Sequence, residues 1–174
     1  AEFTDIFGAG HEVLYVKGSG WDLATIEAAG FSPVALDALM QLSRFDVLSD
    51  ADMVRAQRAA MLDPGAPNPS VEAILHALIP FRFVDHTHAD AVVTLTNTPG
   101  GEARIRELYG DRLLVVPYVM PGFVLAKKVA QMTAGLYWTT LQGMVLMNHG
   151  IVSFADDARE SYTRMIDLVT EAEQ

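Results

Sequence analysis

Two histidines stand one residue apart in FRFVDHTHADAVVTL, Phe81 to Leu95, a stretch that reads as a buried strand. Side chains alternate across a strand, so His86 and His88 point to one side with rings close enough to hold a single ion, while Asp85 and Thr87 face the other way. Two imidazoles alone make a weak site, because zinc in catalytic sites takes three protein ligands and keeps an open position. The candidate third ligand is His149 in LMNHGIVSF, where Asn148 and Gly150 signal a sharp backbone change directly after an apolar strand. On the residues alone each histidine has two readings, a metal ligand or a hydrogen-bonded core or turn histidine. Glu72 and His76 stand four apart after Ser70 and share a helix face, either as chemistry-bearing groups or as an ordinary surface pair. Three neutral imidazoles would leave a divalent ion with its full charge, suited to stabilising an oxyanion that forms on a substrate, and a nearby glutamate would move the protons.

The elements that must position these residues follow from caps and breakers. HEVLYVKG, His11 to Gly18, is a strand ending at a Gly-Ser-Gly turn. Ser32 as N-cap with Pro33 at the first helical position predicts a helix to about Phe45. Ser49 with Asp52 three residues on caps a second helix, and Leu62 to Pro69 is a loop by composition. Ser70 caps VEAILHALI, which stops before Pro80. After the histidine strand come a helix around Gly101 to Tyr109, a strand over Arg112 to Met120, and a helix from Pro121-Gly122 through Val129. A strand pair over Gly143 to Phe154 and a last helix after Asp156 or Asp157 complete the pattern. Strands and helices alternate without repeat or linker, which predicts one α/β domain over residues 1–174, a central sheet covered by helices.

The 174 residues are enough for one hydrophobic core. No run of apolar residues has the length a membrane helix needs. The net charge of −10 offers no basic surface to phosphate backbones, so neither a membrane nor nucleic acid is the expected partner. Without cysteine there is no disulfide and no thiolate, any metal must be held by His and carboxylate, and a reducing cytoplasm is the expected compartment. The chain opens on AEFTDIFG without an initiator Met, so residues upstream of Ala1 are expected.

NPSVEAILHALIP, VDHTHADAV and LMNHGIVSFADDARESYTRMIDLV together resemble the class II aldolase/adducin family. LYVKGSGWDLATIEAAGFSP is similar to its bifunctional branch, which joins a rhamnulose-1-phosphate aldolase to a short-chain dehydrogenase. The resemblance covers essentially the whole chain. It implies a three-layer α/β/α fold with a mainly antiparallel sheet, and a catalytic zinc, or another divalent ion, held by His86, His88 and His149. It further implies Glu72 as acid/base, Ser19, Gly20 and Ser70 around the substrate phosphate, and His76 beside the site. The implied activity is reversible cleavage of a ketose 1-phosphate, rhamnulose 1-phosphate first, to dihydroxyacetone phosphate and an aldehyde such as lactaldehyde, in a cytoplasmic homotetramer. The family's Gly-Asn-x-Ser phosphate loop would lie upstream of Ala1, so that part of the phosphate site is expected to be missing. Val71 stands where many aldolases have a second Ser. Tyr118 and Tyr137 are candidate donors to a neighbouring subunit or buried aromatics. Pentose-phosphate 4-epimerases share the fold and the three histidines, and adducins keep the fold as interaction modules, so both stand as alternatives.

Overall fold

The computed structural model describes Ala1–Gln174. In chain order its elements are β1 (Glu2–Thr4), β2 (Gly10–Lys17), β3 (Phe31–Ala35), α1 (Leu36–Leu42), α2 (Asp50–Ala59), α3 (Ala73–Leu78), β4 (Phe83–Thr87), α4 (Asp90–Thr96), α5 (Gly101–Tyr109), β5 (Leu113–Val116), α6 (Phe123–Thr133), β6 (Gly143–Leu146), β7 (Gly150–Ala155) and α7 (Ala158–Ala172). They form two units, Ala1–Leu78 with Met120–Ala130 and Ile79–Val119 with Gln131–Gln174. No helix is long and apolar enough to cross a membrane. The α/β class and the mainly antiparallel pairing are as expected, with the strands divided between a three-stranded and a four-stranded sheet.

In the first unit β2 lies between β1 and β3, all antiparallel. Ser32-Pro33 does not open a helix: both residues lie in β3, and α1 begins only at Leu36. The pair looks like a helix start, but β3 is the edge of its sheet, and an edge is where a strand tolerates proline. The Pro33 carbonyl faces outward and accepts from Leu62 N at 2.9 Å, so the missing Pro33 N–H interrupts no bond to β2. The Ser32 hydroxyl caps nothing and donates instead to the Pro67 carbonyl. Ser49 does cap α2, accepting from Asp52 N at 3.1 Å.

The second unit carries the sheet β4-β7-β6-β5, antiparallel except for the parallel pair β5–β6. β6 and β7 are buried at every position, whereas β4 is an edge strand with Phe83 exposed and its other residues half-buried. The strand expected over Phe81 to Leu95 is therefore shorter than its apolar stretch. It ends at Thr87, and Asp90–Thr96 is helical, with Val92 and Thr96 four apart on one buried face and Asp90 in the first turn. The core of this unit includes Val92, Ile105, Tyr109, Val115, Val145, Ile151 and Leu168.

Candidate metal centre

β4 and β7 run antiparallel, with His86 opposite Val152 and Thr87 opposite Ile151. The C-terminal end of β4 therefore meets the N-terminal end of β7, and the residue just before β7 is His149. This register brings the three histidines together although His149 is remote in sequence. One ligand atom from each of His86, His88 and His149 lies within 4.8 Å of the others. The ring centroids are 5.0 Å apart for His86–His88 and His86–His149, and 4.7 Å for His88–His149. His88 is exposed and the other two are half-buried, so the cluster opens to solvent.

Local backbone chemistry aims each ring. His149 sits at the end of a tight turn closed by its N–H donating to the Leu146 carbonyl at 3.1 Å. Asn148, at the central position before it, has a φ of 57°, a left-handed conformation that asparagine tolerates better than most residues. Next comes Gly150, where a Cβ would collide with the Thr87 carbonyl oxygen and come within 3.1 Å of the His86 and His88 rings. A glycine is what lets the start of β7 pass under the two imidazoles. His86 Nδ1 donates to the Ile151 carbonyl at 3.0 Å. A carbonyl only accepts, so in the neutral ring the proton is on Nδ1 and the lone pair on Nε2. Burial pulls the His86 pKa from its ordinary 6.5 down to about 4, the His88 charge adding to the effect and the Ile151 bond opposing it. His86 is thus neutral at pH 7, the state in which an imidazole ligates. Three nitrogen donors with an open fourth side fit a divalent ion of the zinc type.

The phosphate and acid/base candidates lie in the first unit. The end of β2 runs beside residues 68–70: Gly18 bridges Pro69, Ser19 N donates to Asn68 O at 2.8 Å, and Ser70 N donates to Lys17 O at 3.1 Å. Ser19, Gly20 and Ser70 are thereby neighbours, with Gly20 at a φ of 80°. Lys17 Nζ donates to the Gly18 carbonyl at 3.2 Å, which puts a cation on this segment that motif spacing did not single out. Glu72 is 8% exposed, its N–H donating to Ser70 Oγ at 3.3 Å and its carbonyl accepting from His76 N at 3.1 Å. His11 pairs with Asp5 Oδ2 at 2.9 Å. Tyr118 and Tyr137 are exposed, which removes the buried-aromatic reading of both.

The family model described as Class II Aldolase and Adducin N-terminal domain matches residues 5–174. The chain belongs to the class II aldolase and adducin family. A Bacillus subtilis (strain 168) protein named Uncharacterized oxidoreductase YuxG is 38% identical to this class II aldolase-type chain over 170 residues, 98% of the chain and 24% of the relative. The chain thus spans about a quarter of that relative's length. The N-terminal class II aldolase domain of a conserved protein from Thermoplasma acidophilum superposes with a TM-score of 0.90 at 38% identity, covering 99% of this chain and 79% of that one. YgbL from Klebsiella pneumoniae, at 21% identity and a TM-score of 0.64 over 92% of this chain and 71% of its own, shares the fold.

Proposed function

We propose that this class II aldolase-type chain is a zinc-dependent lyase that cleaves a ketose 1-phosphate, rhamnulose 1-phosphate first, to dihydroxyacetone phosphate and an aldehyde such as lactaldehyde. The observation that carries the reading is the convergence of His86, His88 and His149 with their donor atoms within 4.8 Å. These three would hold the ion. When bound, it supplies Lewis acidity to the substrate oxygens next to the carbon–carbon bond that breaks. Glu72 is assigned the proton transfer at the carbon of the three-carbon fragment, from its place in the Pro-Ser-x-Glu motif and from its burial, which limits competition by bulk water. The hydroxyls of Ser19 and Ser70, with the backbone at Gly20, are assigned to the phosphate. The Lys17 ammonium on the same segment supports an anion there, as does the Ser70 hydroxyl, whose O–H stays available as a donor while its oxygen accepts from Glu72 N. His76 is assigned a supporting place one helical turn from Glu72. The name oxidoreductase belongs to a relative about four times as long, in which this chain matches 24%. An aldolase joined to a dehydrogenase that consumes its aldehyde would account for both.

The test begins with metal content. About one zinc per chain in the wild type, lost in His86→Ala and His149→Ala, is the expected result, followed by release of dihydroxyacetone phosphate from rhamnulose 1-phosphate. Glu72→Gln should keep the metal and lose at least about 100-fold in kcat, in the range that removal of a general acid/base costs. Full turnover in that variant would sink the mechanism. With a pentose phosphate as substrate, its 4-epimer as the sole product would move the assignment to the epimerase branch. A folded wild type that takes up no zinc would leave a binding module of the adducin kind.

A further inference from the structure

We propose that Asn97 is a positioning residue for the metal centre, acting through Asn148 on His149. The inference rests on the reading of His86, His88 and His149 as metal ligands. Asn97 is the C-terminal cap of α4, the helix that begins two residues after His88. Its Nδ2 donates to the Val93 carbonyl at 2.8 Å, which fixes the amide and leaves Oδ1 facing outward. Asn148 Nδ2 donates to that oxygen at 2.8 Å and to the Thr96 carbonyl at 3.2 Å. Asn148 is also the turn residue with a φ of 57°, peptide-bonded to His149. The chain leaving His88 and the turn carrying His149 are therefore tied together at the far end of α4. The left-handed backbone alone does not demand this, since glycine would supply it equally well without an amide. What the amide adds is orientation: a turn held at both ends by backbone pairing gains a lateral brace against the helix that follows another ligand. Metal affinity depends on ligands held to within about 0.5 Å, so a brace of this kind acts on affinity before it acts on folding.

The experiment compares zinc affinity, by competition with a chromophoric chelator, for the full chain as wild type, Asn97→Ala, Asn97→Asp and His149→Ala, together with the thermal unfolding of each metal-free protein. Both Asn97 variants lose the amide bond to Val93, but aspartate keeps an acceptor oxygen for Asn148. If the residue only finished the helix, both would weaken equally. The expected result is roughly 10-fold weaker zinc binding in Asn97→Ala and binding within about 3-fold of wild type in Asn97→Asp, the range seen when groups behind metal ligands are removed or kept. The d–d absorption of the cobalt-loaded protein should change in Asn97→Ala and be restored in Asn97→Asp. Wild-type affinity in Asn97→Ala, or equal losses in the two variants, overturns the brace alone. A wild type that binds zinc no better than His149→Ala overturns the metal reading and the brace with it.

Discussion

A methyl group at Gly150 would enter the space where the Thr87 carbonyl and the His86 and His88 rings meet. Neither side can yield easily: one neighbour is backbone, and the His86 ring is held by its bond to Ile151. Gly150→Ala should therefore cost about 1–3 kcal/mol of stability, as overpacking does, and displace the two imidazoles as well. Urea unfolding and zinc content measure the two effects, and a variant that is fully stable with wild-type zinc would show that the rings move aside. At this scale much could be read from residue order. The alternation that pairs His86 with His88 is local, and so is the Asn-His-Gly turn. The role of Asn97 could not be read this way, because its partner Asn148 comes to it only through the β4–β7 register.

α7 holds β4 from the side opposite His86. The Ser161 hydroxyl donates to Asp85 Oδ2 at 2.6 Å, and Ser153 Oγ donates to the Ser161 carbonyl at 2.9 Å, both serines being fully buried. Ser161→Ala would leave a half-buried carboxylate without that donor, at about 1–3 kcal/mol. The cap of the same helix, where Asp157 Oδ1 accepts from Glu160 N at 3.0 Å, is exposed, and Asp157→Ala should cost about 1 kcal/mol. Chemical denaturation of both variants should place Ser161→Ala as the more destabilised, and the reverse order would mean that Asp85 finds water. Caps at Ser49 and Asp157 were readable because a cap closes within four residues of chain. Ser32-Pro33 carries the same local signal and fails, since membership of an edge strand is decided by β2 and by residues 60–62.

At the scale of the whole molecule, folding is linked to protons, and an ion held by the three histidines would add a second linkage. Arg112 bonds both carboxylate oxygens of Glu171, at 2.9 and 2.5 Å, and its guanidinium holds that carboxyl below the ordinary 4.5. A carboxyl depressed in the folded state contributes stability that is present above its unfolded pKa and lost as pH falls through the folded one. The pair is partly exposed, so Arg112→Met should lose about 0.5–1 kcal/mol at pH 7, with the gap to wild type closing below about pH 4.5 in acid titrations of stability. A gap that persists in acid would assign the loss to Arg112 packing over the Tyr109 ring, 5.9 Å away. Zinc that binds only the native state should raise stability by about 2.7 kcal/mol at a hundredfold excess over its Kd, so dialysis against a chelator should lower Tm. An unchanged Tm in zinc-replete protein would contradict a site built on the folded strands. The class of fold, the order of most elements and the chemical types in the site follow from residue order, because periodicity, caps and motif spacing act over a few residues. Which strand ends meet is a long-range matter, set by pairing between segments that no local signal connects. The antiparallel register of β4 on β7 decides that three separate histidines share one place, and the same register hands Asn148 to Asn97.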